Sequence, residues 1–325
     1  MAIATRRLGS FMFTLEENPL PRLAMNITGA ELLSRPLARD LITIPTLLHQ
    51  SWKTNVLPAK FEHWSASCRS RHPDWEWVLW TDEDNLNLVR KYYPWLEESY
   101  RALPAEIYRA DLVRSLYMYT FGGVYLDLDM ECLRPSEELF KKYVPSGSPP
   151  LQTALFGRMG DHPDFEHSIP NAWMASPPGN PAVLILPEMV DRRVRDGEVP
   201  GSAEYLTGPV ALRDSLIEYE RRKITRGNGL GDSIAKIQTG VPFPNNNHNS
   251  SEIVDHQVIL LPSELIYPNS WSDGAYTDVC FVFKDTYNAE LCKSALEVAK
   301  KGSVYITYWS HTHGPGGEQN MEHIT

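Results

Sequence analysis

The stretch "LPAEIYRADLVRSLYMYTFGGVYLDLDMEC", Leu103 to Cys132, constrains this chain more than any other. Pro104 stands near a helix start, apolar residues keep helical spacing from Ile107, and Gly122-Gly123 stop the helix. "VYLDLDMEC" follows at once and reads as a strand fed directly by that helix. Upstream, "ITIPTLLHQSWK" reads as a strand running into a loop at His49, Lys60 to Arg71 as a helix, and "WEWVLW" as a second strand ending at Thr81-Asp82-Glu83-Asp84. Strand, helix, strand, helix, strand predicts an α/β domain with a mainly parallel sheet, whose ligands gather beyond the carboxyl ends of the strands.

Alternation along that last strand places Tyr125, Asp127, Asp129 and Glu131 on one face and Val124, Leu126, Leu128 and Met130 on the other. Two carboxylates side by side repel each other and lose hydration unless a cation or a row of donors compensates. A hard divalent ion with oxygen ligands, Mg2+ or Mn2+, would resolve that cost and leave positions open for phosphate oxygens. A run of acids on a solvent-facing edge is the plain alternative. On the preceding helix, Asp111 and Arg114 are neighbours in a segment that is otherwise almost wholly apolar. A charged pair there should face a polar cavity, where Arg can hold a phosphate or sugar hydroxyl and Asp can accept from sugar hydroxyls. The alternative for this pair is a surface salt bridge.

With 325 residues, 42% apolar and 22% charged, the composition is that of an ordinary globular chain, which excludes disorder throughout. The formal charge of -10 disfavours nucleic acid and acidic membranes as partners. Four cysteines, Cys68, Cys132, Cys280 and Cys292, show no CxxC pattern and predict neither a zinc site nor a disulfide scaffold; Cys132 and Cys280 read as small buried hydrophobes. The N-terminus lacks a signal-peptide core, and the longest apolar uncharged run, Ser115 to Leu126, falls short of a transmembrane segment. These readings predict a soluble, cytoplasmic protein, with a secretory lumen as the alternative; Asn26-Ile27-Thr28 and Asn249-Ser250-Ser251 are glycosylation triplets only in the second case. Residues 1–43 read as a leader packed on a core of residues 44–325, in which a break at "VPSGSPP" separates a donor-binding half (about 44–145) from an acceptor-side half (about 146–325). "RGNGLGDSIAKIQTGVPFPNNNHNSS" reads as a long surface loop, with a mobile lid as the alternative.

The blocks "IPTLLHQSWK", "HPDWEWVLWTDED" and "RADLVRSLYMYTFGGVYLDLDMECLRP", followed by "NAWMASPPGNP", "YLTGPVAL", "VILLPSELIYP" and "YWSHTHG", resemble the successive blocks of glycosyltransferase family 32, the DXD sugar-binding group that includes fungal mannosyltransferases. The resemblance runs from about Ile44 to His313. It implies a GT-A-type fold, a Rossmann-like mixed and mainly parallel sheet flanked by helices, with a nucleotide-sugar donor, a divalent metal and retention of configuration. By motif, Asp129 would ligand the metal, while Asp127 would bind the donor ribose and reach the metal through water. Asp111 and Arg114 would hold the donor sugar, Trp80 would stack on the nucleobase, and His49 and Gln50 would line the same pocket. Asn171 would approach the transferred sugar. The C-terminal block departs from the family pattern, lacking the final Trp, and makes His311 the expected further metal ligand, with His313 second.

The function this implies is transfer of a sugar, mannose from GDP-mannose, to a hydroxyl acceptor that is a small molecule, a lipid-like molecule or a glycan. A UDP-sugar donor is the alternative within the family. A non-catalytic sugar-nucleotide-binding or scaffold protein is the alternative outside it, and a metal-dependent phosphohydrolase would also use paired aspartates. Retention is expected to proceed by front-face attack of the acceptor hydroxyl, because no carboxylate stands out as a nucleophile.

Overall fold

The computed structural model describes residues 24–147, 150–160, 162, 164–226, 241, 255–272 and 274–310. The "RGNGLGDS" loop lies almost wholly outside the described residues, as do His311 and His313. The described residues open with β1 (Met25–Thr28) and α1 (Gly29–Ser34), where Thr28 and Glu31 form a capping box that satisfies two otherwise orphaned amides. β2 (Leu47–Ser51), α2 (Ala59–Arg71) and β3 (Glu76–Trp80) follow. A second capping box, Thr81 with Asp84, starts α3 (Asp82–Tyr92), so the acidic tetrad that ends β3 is also a helix start. After α4 (Glu97–Ala102) comes α5 (Glu106–Thr120), and then β4 (Gly123–Leu126) and β5 (Met130–Cys132). The second half holds α6 (Glu137–Tyr143), β6 (Leu151–Gly157), β7 (Trp173–Ser176), α7 (Ile185–Arg195), α8 (Ala203–Leu206), α9 (Pro209–Arg226), β8 (Asp255–Leu261) and β9 (Tyr305–Thr307).

Among the described residues, seven strands form one sheet in the order β1-β3-β2-β4-β7-β6-β8. Neighbours are parallel except where β7 meets β4 and β6, so β7 alone runs against the rest. The fold is therefore α/β with a mixed, mainly parallel sheet. Residues 24–43 do more than pack on the core, because β1 pairs with β3 as the edge strand. The reversal of β7 sets up the site: its first residue, Trp173, pairs with Leu126 at the carboxyl end of β4. The residues just before β7 and just after β4 must then lie at the same sheet edge, and the Asp127 amide donates to the Ala172 carbonyl at 2.9 Å.

α5 is buried nearly all round, from Tyr108 and then from Asp111 to Thr120, which is why its sequence shows little amphipathic periodicity. Gly122 and Gly123 take φ +66° and +102°, and a Cβ at Gly122 would meet the Pro178 ring nitrogen and the Ser176 carbonyl at 2.7 and 2.8 Å. This close approach lets the chain leave α5 and enter β4 without a loop. Period-two alternation sends Leu47, Val78, Trp80 and Tyr125 to the α5 face and Leu48, Trp77, Leu79, Val124 and Leu126 to the opposite core.

Three expectations are corrected. His49 lies inside β2 rather than in a loop after it. "VYLDLDMEC" is not one strand: Asp127 to Asp129 form a turn, closed by the Met130 amide on the Asp127 carbonyl at 3.2 Å, and β5 leaves the main sheet to pair with β9. The two aspartates are thus gathered by a turn and not by strand alternation. All four cysteines are disulfide-bonded, Cys68 with Cys132 and Cys280 with Cys292. The first bridge ties the last turn of α2 to the strand that follows the aspartate turn; the second packs against Leu128, Ile306 and Tyr308. Among the described residues, no helix is long and apolar enough to cross a membrane.

Candidate active site

Arg114 is the centre of the site, buried at the middle of α5 beneath the turn that follows β4. Its Nη2 lies 3.1 Å from Asp111 Oδ1 and 3.1 Å from Asp127 Oδ1, and its Nη1 donates to the Asn171 carbonyl at 3.0 Å. The guanidinium also lies over the Tyr125 ring, 4.9 Å from its centroid. Its Nε is buried with no hydrogen-bond partner. Burial works against the charged guanidinium, but Asp127, Tyr125 and Asp111 more than offset it and hold its pKa above the ordinary arginine value.

The surrounding groups are arranged so that each carboxylate is tied by one oxygen. Asp111 Oδ1 accepts from Asn171 Nδ2 at 3.0 Å as well as from Arg114. Asp127 Oδ1 accepts from the Tyr125 hydroxyl at 2.6 Å. Asp129 Oδ2 accepts from the Ser310 backbone amide at 2.8 Å, which draws the segment after β9 onto the turn. Burial pushes the Asp127 carboxyl up to about 7; Arg114 pulls it down, and Asp129 adds to the rise. Burial likewise raises the Tyr125 phenol well above its usual range, which keeps it a neutral donor to Asp127. Gly208, between α8 and α9, comes so close that a Cβ there would stand 3.2 Å from Asp111 Oδ2.

Behind the turn, Gln50 works through the backbone. Its Nε2 donates to the Asp127 carbonyl at 3.4 Å, and its Oε1 accepts from Ser65 Oγ at 2.7 Å and Trp77 Nε1 at 2.8 Å. Glu131, just past the turn, accepts from the Tyr308 hydroxyl at 2.5 Å and pairs with Lys293 at 3.0 Å, bracing the same turn from the other side.

Three sequence-predicted ligand contacts are not available in this arrangement. Trp80 is fully buried: Tyr117 stacks on it at 4.5 Å and 17°, and the Gly29 backbone lies so near that a Cβ would sit 2.6 Å from the ring. It has no face for a nucleobase. His49 is fully buried among Trp80, Tyr117 and Phe121, donating from Nε2 to the Gly122 carbonyl at 2.8 Å and accepting the Trp80 indole N–H on Nδ1 at 3.0 Å. Burial lowers its pKa to about 4, so this one neutral tautomer is held. Gln50 is buried too, and acts on Asp127 rather than on a ligand. The structure does bring Asp111, Arg114, Asp127, Asp129 and Asn171 together, and it adds Tyr125, Gly208 and the Ser310 amide, which sequence reasoning missed. For Tyr125 a signal existed, because it stands two residues before Asp127 on β4.

Residues 58–144 match the family described as the glycosyltransferase sugar-binding region containing a DXD motif. In this stretch the chain is similar to DXD-type sugar-binding regions. Across 126 residues the chain is 41% identical to inositol phosphoceramide mannosyltransferase 3 of Schizosaccharomyces pombe, which covers 37% of this chain and 35% of that protein. Across 128 residues it is 34% identical to a mannosyl phosphorylinositol ceramide synthase of Saccharomyces cerevisiae, covering 38% and 33%. The matches thus span about a third of the length of these curated relatives. Among solved structures, the PaToxG glycosyltransferase superposes with a TM-score of 0.41 at 15% identity, over 60% of this chain and 76% of that one, too loose a likeness to argue from.

The DXD region contains Asp111, Arg114 and both turn aspartates, while Asn171, Gly208 and Ser310 reach it from outside. Its donor set suits a hard cation: Asp127 Oδ1 and Asp129 Oδ2 are engaged by protein donors, and among the described residues no hydrogen bond engages the second oxygen of either carboxylate. Among the described residues no group of three or more His, Cys, Asp or Glu side chains gathers to hold a metal, and the expected third ligand, His311, lies outside them.

Proposed function

We propose that this chain is a metal-dependent, retaining glycosyltransferase that moves mannose from GDP-mannose to a hydroxyl acceptor. The observation that carries this reading is the fork of Arg114 between Asp111 and Asp127, with Asn171 closing the ring, at the carboxyl end of β4 inside a DXD region. A buried guanidinium shared by two carboxylates is costly to assemble and is best explained by a polyhydroxylated anionic ligand that uses the remaining lone pairs.

In this reading Asp111 Oδ2 accepts donor-sugar hydroxyls, its other oxygen being fixed by Arg114 and Asn171. That fixed role makes Asp111 a hydrogen-bond acceptor rather than a nucleophile, in keeping with front-face attack. Asp127 binds the donor ribose, and Asp129, steadied by the Ser310 amide, faces the diphosphate. Mn2+ or Mg2+ held by the free oxygens of Asp127 and Asp129 would supply charge neutralisation for the departing diphosphate. The base lies over the carboxyl ends of β2 and β3, without Trp80.

The relatives' names point to an inositol-bearing sphingolipid as acceptor, and the two disulfides favour an oxidising lumen over the cytoplasm. The test is incubation of the full chain with labelled GDP-mannose, Mn2+ and inositol phosphoceramide in detergent, beside UDP-sugars and beside Asp129→Ala. Transfer of mannose by the native chain only is expected. Donor binding without turnover on any acceptor would favour the scaffold reading.

A further inference from the structure

Three segments each run from a solvent-reaching ring to the carboxylates within a few residues. His167 precedes Asn171, which holds Asp111; Tyr205 precedes Gly208, which abuts Asp111; and Trp271 follows Tyr267, close enough to Asp127 and Asp129 to feel both charges. Their outer ends meet. His167 stands edge-on to Trp271 at 5.0 Å and 85°, Phe165 lies 6.3 Å from the same indole, and the Tyr205 hydroxyl donates to Glu166 at 3.1 Å. Trp271 remains 36% exposed and Tyr205 41%.

Between Tyr267 and Trp271 sits a polar group that folding alone does not explain. Asn269 is 2% exposed, and both its side-chain amide nitrogen and oxygen are buried with no hydrogen-bond partner among the described residues. Leaving such groups unpaired carries a desolvation cost that an apolar residue would avoid. Its carbonyl accepts from Trp309 Nε1 at 3.3 Å, and Trp309, at φ +52°, stacks on Tyr267 and directly precedes Ser310, the residue on Asp129. The strained backbone and the unpaired amide both lie on the path from Trp271 to the aspartates.

We propose that Trp271, flanked by His167 and Phe165, is the acceptor platform, and that it receives the apolar face of a polyhydroxylated six-membered ring, a pyranose or a cyclitol. Such rings present C–H groups on their faces and hydroxyls around the rim, which matches a part-exposed indole flanked by the Phe165 and His167 rings, with the exposed Glu166 carboxylate between those two residues in the chain. The platform deepens the transferase reading and rests on it, because it supplies the hydroxyl that the donor site consumes.

The test uses the full chain labelled with 5-fluorotryptophan, with Trp271→Phe identifying the Trp271 fluorine signal. The native protein is titrated with myo-inositol, with methyl α-mannoside and with phosphatidylcholine vesicles, while GDP-mannose binding is measured separately with Mn2+. The expected result is a saturable shift of the Trp271 signal with one of the two ring compounds. Calorimetric titration with the same ring compound should show an affinity about tenfold lower in Trp271→Ala than in the native chain, with GDP-mannose affinity unchanged. A signal that ignores both rings, or responds only to vesicles, overturns the platform whatever the donor does. Failure of GDP-mannose to bind strikes the transferase reading instead, and the ring titration still decides the platform.

Discussion

Arg114 Nη2 stands 3.1 Å from Asp127 Oδ1, which ties the middle of α5 to the first residue of the aspartate turn. The same nitrogen reaches Asp111, so one guanidinium compensates a buried acid and a partly buried one. Arg114→Ala leaves both uncompensated and is expected to cost about 3–5 kcal/mol of stability. Arg114→Lys keeps a charge but cannot reach Asp111, Asp127 and the Asn171 carbonyl together, so it should recover part of the stability and little donor affinity. Urea denaturation beside sugar-nucleotide titration separates the two effects. Equal donor binding in Arg114→Lys and the native chain would contradict the assigned geometry.

Gly208 lets α8 and the start of α9 close against Asp111. A Cβ there would meet the Glu204 Cα at 2.8 Å, the Ala203 carbonyl at 3.2 Å and Asp111 Oδ2 at 3.2 Å. Backbone atoms cannot swing aside as a side chain would. Gly208→Ala is expected to cost about 1–3 kcal/mol by overpacking and to weaken donor binding about tenfold by shifting Asp111. Differential scanning calorimetry and donor titration check the pair of outcomes; an unchanged melting temperature would show that the close approach is not enforced.

Two buried imidazoles set an acid limit. His49 is lowered to about 4 by burial, and His256, which meets the Tyr219 hydroxyl at 2.7 Å, is lowered to about 4 by burial and then by Lys223. An unfolded histidine titrates near 6.5, so between pH 6.5 and 4 the unfolded chain binds protons that the native state refuses. The stability associated with these groups is intact above pH 6.5 and falls as pH drops toward 4, by roughly 3 kcal/mol for each. The site-resolved check is imidazole NMR, in which both rings should stay neutral at pH 5.5. A midpoint near 6.5 for either ring would sink the prediction.

The disulfides should be structural, not incidental. Cys68–Cys132 closes a separation of 64 residues and Cys280–Cys292 one of 12. Chain-entropy reasoning assigns about 4 and about 3 kcal/mol to them. Thiol titration in denaturant without reductant should find no free thiols, and Cys132→Ser should weaken donor binding as well as lower the melting temperature, because Cys132 ends the strand that leaves the aspartate turn. Four free thiols in protein recovered from an oxidising compartment would refute this.

Much of the donor side was legible in the sequence because it is local. The α5 helix, its glycine stop and β4 lie within one continuous stretch, and the i,i+3 spacing of Asp111 and Arg114 already placed both on one surface. What sequence hid depends on distant partners. The aspartates lie in a turn because β5 pairs with β9 and not with the main sheet, a contact made more than 170 residues downstream. Trp80 resembled an exposed strand-end aromatic, but Tyr117 stacks on it and Gly29 closes against its ring from other elements, leaving it fully buried. The Cys68–Cys132 pair was unreadable because it is decided by how α2 approaches β5, which spacing does not encode.

The most direct measurement is calorimetric titration of the native chain and Asp129→Ala with GDP- and UDP-sugars, with and without Mn2+. The account predicts Mn2+-dependent binding of GDP-mannose that is lost in Asp129→Ala while the variant keeps its native fold. Binding of no sugar nucleotide by a folded native chain, or metal-independent binding that survives in Asp129→Ala, would contradict it.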